Sequence, residues 1–370
     1  MKNYFKLGFF SIVLVFASCS TKDDVVECEV TAPDSFVFIQ EGSSTVSYGG
    51  QTARLNMAAE ILTKLGESTS TDAALLNQMY ADGTGFSDAA LDASGKQLRS
   101  KTAGYQSAIA KAAIQAKFDG WLVDYANNVA PAMAANAMAA PSVAGYVGNR
   151  ELNAHGFELD QFFAKGLIGA LCLDQVVNGY LSEAKIGDGV DNVNRDPNED
   201  ANSTAMEHHW DEGYGYVYGK FGPDNSDGDL SGDGLLGKYL NKYDDHSLTV
   251  FNAFKMGRQA ITDGCNEERD RQAQIIKETL SKVVAIRADY YLRDAASLVM
   301  NSADYFHSLS EGYGFVMSLQ FTYDAYGNPY FTHDQVNAML AELESGEGFW
   351  NKDISILTNM ADEITLAAGL

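Results

Sequence analysis

The sequence predicts an all-α protein built from two related helical bundles, with a small extended or hairpin segment in front of them. Three observations predict it. Prolines number only 6 in 370 residues and alanine is abundant, which favours helix over strand. Apolar residues recur at three-to-four spacing through most of the chain. One sixteen-residue segment also returns later in the chain without a gap.

The chain opens with Lys2 and Lys6 ahead of an almost unbroken apolar run, Leu7 to Phe16. That run is too short to span a bilayer, which takes about 20 apolar residues. It ends in Phe16-Ala17-Ser18-Cys19. Residues 1–18 therefore read as a signal peptide, and Cys19 as a lipidated cysteine at the new N-terminus. Ser20-Thr-Lys-Asp-Asp24 resembles an export tag to the outer face of an outer membrane, and residues 19–35 read as a tether.

Phe36–Ile39 and Thr45–Tyr48 suit a hairpin around Glu41-Gly42-Ser43-Ser44. Residues 52–65 suit a helix, shorter helices fit between 72 and 100, and an alanine-rich helix covers 107–138 with a break at Pro131. Residues 157–184 are apolar nearly all round, the mark of a central core helix. Gly166, Gly169 and Ala170 would let a neighbour come close. Further helices fit 267–300, 334–345 and 354–368, and acidic, glycine-rich loops fit 187–200 and 223–234. The first helical half is thus 36–222 and the second 235–370.

Net charge is −24, from 26 basic and 50 acidic side chains. Loss of Lys2 and Lys6 would make it −26 (−24 − 2). Such a chain repels nucleic acid and anionic headgroups, so neither is an expected partner. After Cys19, the widely spaced Cys28, Cys172 and Cys265 suggest neither a disulfide framework nor a zinc knuckle. Cys172 reads as a small core residue.

The repeat lays Asn202–Val217 over Asn301–Val316 at a constant offset of 99, with eight of sixteen positions identical. Both copies carry His-x-x-x-Glu-Gly-Tyr-Gly: His208, Glu212 and Gly213–Gly215, then His307, Glu311 and Gly312–Gly314. Histidine and glutamate four apart share a helix face. Two glycines inside a helix point to close packing. One reading is therefore a packing signature with an internal His–Glu pair.

The first copy also crowds Glu207, His208, His209, Asp211 and Glu212 into six residues. Imidazole and carboxylate at that spacing suit a divalent transition metal, with iron and zinc the candidates, or a carboxylate that orients a histidine. His-Glu-x-x-His and its inverse are absent, so the usual zinc-protease motifs do not apply. A complete site would need help from His155, Glu158 and Gln161, or from His307 and Glu311.

His209-x-x-Glu212, with the aromatics and Gly219 after it, resembles the motif of imelysin-like envelope proteins. More closely, Gly50–Leu55, Lys165–Ala170 and Met206–Glu212 resemble an uncharacterised lipoprotein family related to imelysin. The resemblance implies two helical bundles, a metal or metal-bearing ligand at His209 and Glu212, and a role as an accessory to iron or haem acquisition with envelope uptake machinery as partner. Imelysins carry glycine where Glu207 stands here, so the metal set would gain a carboxylate.

Asp227, Asp229, Ser231 and Asp233 invite a calcium reading, although Lys238 falls where the loop needs a glutamate. Asp188, Asp191, Asp196 and Asp200 read as solvated loop. Trp121, Trp210 and Trp350 read first as core and otherwise as a sugar- or haem-binding surface. The expectation is a surface lipoprotein, otherwise on the periplasmic face, that binds a metal or metal-bearing ligand. A non-catalytic scaffold stands second and a metallopeptidase last.

Overall fold

A computed structural model describes residues 28–195, 202–222 and 225–370. The signal peptide, Cys19, Asp196, Asp200 and Pro223 lie outside the described residues. The described chain is mostly helical with two tiny two-stranded hairpins. No helix among the described residues is long and apolar enough to cross a membrane.

The expected first hairpin forms with much shorter strands, β1 (Ile39–Gln40) and β2 (Ser43–Ser44). Phe36, Phe38 and Val46 around it are buried, so this segment is held by packing more than by its ladder. Then come α1 (Gly49–Lys64), α2 (Ala73–Ala81), α3 (Ala89–Ala93) and α4 (Ala108–Asp124). Asp72, Asp88 and Ser107 cap α2, α3 and α4 with their side chains.

The alanine-rich stretch is less uniform than its composition suggests. After α4 come a π-helical turn (Tyr125–Val129) and α5 (Ala130–Ala134). Pro131 does not break the helix as expected: α5 continues directly from the π-helical turn, and the change of winding falls next to the proline. The helix stops at Ala134, and residues to 152 form the second hairpin, β3 (Gly145–Val147) with β4 (Arg150–Leu152). That hairpin breaks the helical expectation for 135–138.

The central helix runs as α6 (Leu159–Leu167) and continues as a π-helical segment, Ile168–Tyr180. It is buried along nearly its whole length. α7 (Glu183–Ile186), α8 (Ala205–Tyr218) and α9 (Leu236–Leu240) follow. α10 (Asp244–Asp263) was not expected as a separate helix, and α11 (Asn266–Ser297) is the longest. α12 (Ala303–Ser318), α13 (His333–Glu344) and α14 (Ile354–Ala368) complete the chain. The buried apolar side chains form one continuous cluster from Phe36 to Ile364, and Cys172, Trp210 and Trp350 lie within its buried set.

The cysteine expectation is corrected. Cys28 and Cys265 form a disulfide across a sequence separation of 237. Spacing gave no hint of it, because the partners are distant in sequence and adjacent only in the fold. Residues 28–35, expected as free tether, are therefore stapled to the start of α11.

Candidate functional site

α8 and α12 carry the two motif copies, and each begins with a side-chain cap. Thr204 and Glu207 form a reciprocal capping box on α8, and Ser302 caps α12. Each helix ends in a short 3₁₀ turn, Gly219–Phe221 and Leu319–Phe321.

The five polar residues of the first copy point three ways. Glu207 accepts from Arg195 (2.6 Å) and Thr204 N (2.9 Å), and lies 3.1 Å from Arg258 Nη1. Burial alone would raise its pKa, but the two guanidinium groups hold it below the usual carboxylate range. Asp211, one turn later and fully buried, accepts from Arg258 Nε at 2.9 Å and Ser47 N at 3.4 Å. Burial raises its pKa against the pull of Arg258.

Glu212 faces another way. Its Oε1 accepts from Gln51 Nε2 (2.9 Å) and Tyr180 OH (3.0 Å). Its Oε2 stands 3.8 Å from His208 Nε2. His209 turns toward α7: Nδ1 lies 2.7 Å from the Lys185 carbonyl and Nε2 3.3 Å from the Lys185 ammonium. An N–H on Nδ1 and a lone pair on Nε2 satisfy both contacts. Burial first, and then the Lys185 charge, lower the pKa of this imidazole.

In the second copy, Glu311 accepts from Lys165 Nζ and Tyr239 OH, both at 3.0 Å, and is also hydrogen-bonded by Tyr291. Burial would raise Glu311, but Lys165 beside it and these donors bring it down to about 2. His307 Nε2 stands 3.9 Å from Glu311, and its Nδ1 lies 2.6 Å from Glu158 Oε2. Burial raises Glu158 while His307 opposes the shift. Glu158 thus meets the second histidine and not the first. His155 is exposed, and Gln161 bonds to Asp160.

The two environments match part by part. Tyr180 and Tyr291 each lie beside the first motif glycine, with Leu181 or Leu292 next to them. A Cβ on Gly215 would meet Tyr48 at 2.5 Å and Gln51 at 3.0 Å on α1, and one on Gly314 would collide with Lys165 and Gly166 on α6. Gln51 and Lys165, the residues at those crossings, both donate to the motif glutamate. Tyr214 lies flat on Phe36 (3.7 Å, 4°) and Tyr313 flat on Phe162 (3.9 Å, 3°).

Lys165 and Tyr180 stand fifteen residues apart on one helix, more than three turns even with its π winding. Metal–ligand bonds are about 2.0–2.6 Å, so the two carboxylates cannot share one ion. Among the described residues, no three His, Cys, Asp or Glu side chains are grouped to hold a metal. The side chains as placed do not fit an iron or zinc ion.

The acidic loop does not form a calcium cradle either. Asp229 accepts from Ser231 N and Oγ, and Asp233 accepts from Leu235 N and Gly237 N at the start of α9. Asp227 completes no cluster with them. Of the acidic residues read as solvated, Asp188 pairs with Arg269 (3.0 Å) and Asp191 caps a turn at Val193 and Asn194.

A family model described as a domain of unknown function, DUF4856, matches residues 33–370. The chain belongs to the DUF4856 family. No curated protein matches it, and no solved structure does. Within the DUF4856 domain the sequence reading found both motif helices but missed the residues that hold them: Gln51, Lys165, Tyr180, Tyr239, Tyr291 and Arg258. Lys165 left a signal, the single cation of the central helix. The tyrosines left none, because their partners lie far away in sequence.

Proposed function

We propose that this protein is a non-catalytic scaffold or binding lipoprotein of the cell envelope, in which the two His–Glu-Gly-Tyr-Gly motifs lock helices together. One observation carries the reading. Each motif glutamate is held by a donor from a crossing helix and by tyrosine hydroxyls, in two equivalent settings. A carboxylate with that many internal donors acts as a structural joint. The matched settings also support an origin as two related halves and the kinship with imelysin. The Cys28–Cys265 disulfide supports an oxidising compartment, and Cys19 remains the proposed lipid anchor, with display at the cell surface or the periplasmic face.

A second reading, an accessory that binds metal or haem, is favoured by one feature. His208 Nδ1 is buried without a hydrogen-bond partner, beside Glu212. Metal content of the mature chain after iron and zinc loading decides between the two. The scaffold reading expects no stoichiometric metal and a clear loss of thermal stability in Glu212→Ala. About one metal per chain, lost in a folded His209→Ala/Glu212→Ala variant, would overturn it.

A further inference from the structure

The second motif borders a cluster of positive charge in this acidic molecule. Four cations surround the Tyr239 ring: Lys165 at 5.5 Å, Lys238 at 5.5 Å, Lys242 at 6.0 Å and Arg287 at 5.4 Å from its centroid. Lys165 is neutralised by Glu311. Among the described residues, no carboxylate forms an ion pair with the other three. Lys238, on α9, and Lys242, in the turn just after it, are both exposed. Burial and the three neighbouring cations lower the Lys238 pKa, with Glu311 acting against them.

Arg287 is the decisive residue. It is 7% exposed, and no carboxylate among the described residues pairs with its guanidinium. Its hydrogen bonds go to the Tyr243 and Tyr291 phenols, and its Nε has no partner. The guanidinium lies 4.2 Å from the Tyr290 ring centroid and 4.3 Å from that of Tyr291. Aromatic faces stabilise it only in part. A buried charge without a counter-ion is costly, and this chain has 50 acidic side chains from which one could have been supplied.

We propose that Arg287, Lys238 and Lys242 form a binding site for a small multivalent oxyanion, a phosphate ester or a polycarboxylate, supplied from outside the chain. Arginine presents a planar fork that matches two oxygens of such a group, and the flanking lysines match further negative charge. Tyr290, nearly half exposed, supplies an aromatic wall for the remainder of the ligand. The inference does not depend on the scaffold reading.

The test is calorimetric titration of the purified mature chain with inorganic phosphate, citrate and acetate, at low and raised salt. Saturable binding of phosphate, citrate or both, near one per chain and stronger than acetate, is the expected result. Preference between the two names the oxyanion class. The Lys238→Glu/Lys242→Glu variant changes only exposed side chains and should weaken binding by about tenfold or more, as raised salt should. Arg287→Lys should weaken it further, and if that variant does not fold the lysine variant decides. No saturable binding of either multivalent anion, or equal binding by the lysine variant, overturns the proposal.

Discussion

Glu311 and Lys165 are 7% and 5% exposed at the side chain and 3.0 Å apart, so each depends on the other's charge. Breaking such a pair leaves an uncompensated buried ion. Glu311→Gln is therefore expected to cost about 3–5 kcal/mol of stability, read by chemical denaturation. The same pair sets an acid sensitivity. Glu311 titrates at about 2 in the folded chain against an ordinary value of 4.5. Its contribution is full above the ordinary value and disappears as pH falls through the folded one. Glu311→Gln should flatten the stability profile between pH 4.5 and 2. A profile unchanged by the substitution would show that the carboxylate is not ionised in the fold. The sequence showed that His307 and Glu311 share a face, but not that Lys165, far back in the chain, supplies the opposite charge.

The informative element is the central helix. Its first half gives Lys165 to one motif and its second half gives Tyr180 to the other. Apolar residues on every face made its burial legible in the sequence. Its change to π winding was not, because that depends on distant partners. The Ala170 carbonyl accepts from Ala103 N, and buried Asp174 holds Tyr105 N and Gln106. The crossing glycines were legible as a packing need, and the structure names the neighbours. Gly215→Ala and Gly314→Ala should each cost about 1–3 kcal/mol through overpacking. Gly120→Ala, where a Cβ meets nothing within 4 Å, should not destabilise and serves as the control. α10 escaped notice because its polar exposed positions interrupt the apolar pattern.

For the whole molecule, the apolar stripes sufficed to predict a helical fold, whereas the long-range closures were hidden. The clearest is the Cys28–Cys265 disulfide. A bridge across 237 residues restricts the unfolded chain strongly, and the loop-entropy model allows up to about 5 kcal/mol for it. Cys265→Ser should lower the unfolding temperature, and a reductant should lower the wild type toward the same value without affecting the variant. Identical melting of oxidised wild type and variant would mean that the N-terminal segment holds without its staple.

For a chain lipidated at Cys19, as proposed, the same bridge would set how far the body can stand from a bilayer. Nine Cα steps separate Cys19 from Cys28, a span of at most roughly 30 Å. The junction of α10 and α11 is then the base of the molecule. Cutting the bridge moves the next backbone attachment to Asp34, whose carbonyl accepts from Lys255 Nζ at 3.0 Å, and the greatest reach grows to roughly 50 Å. If Cys19 carries the proposed lipid, reduction of the bridge would thus leave the protein anchored and change its working height.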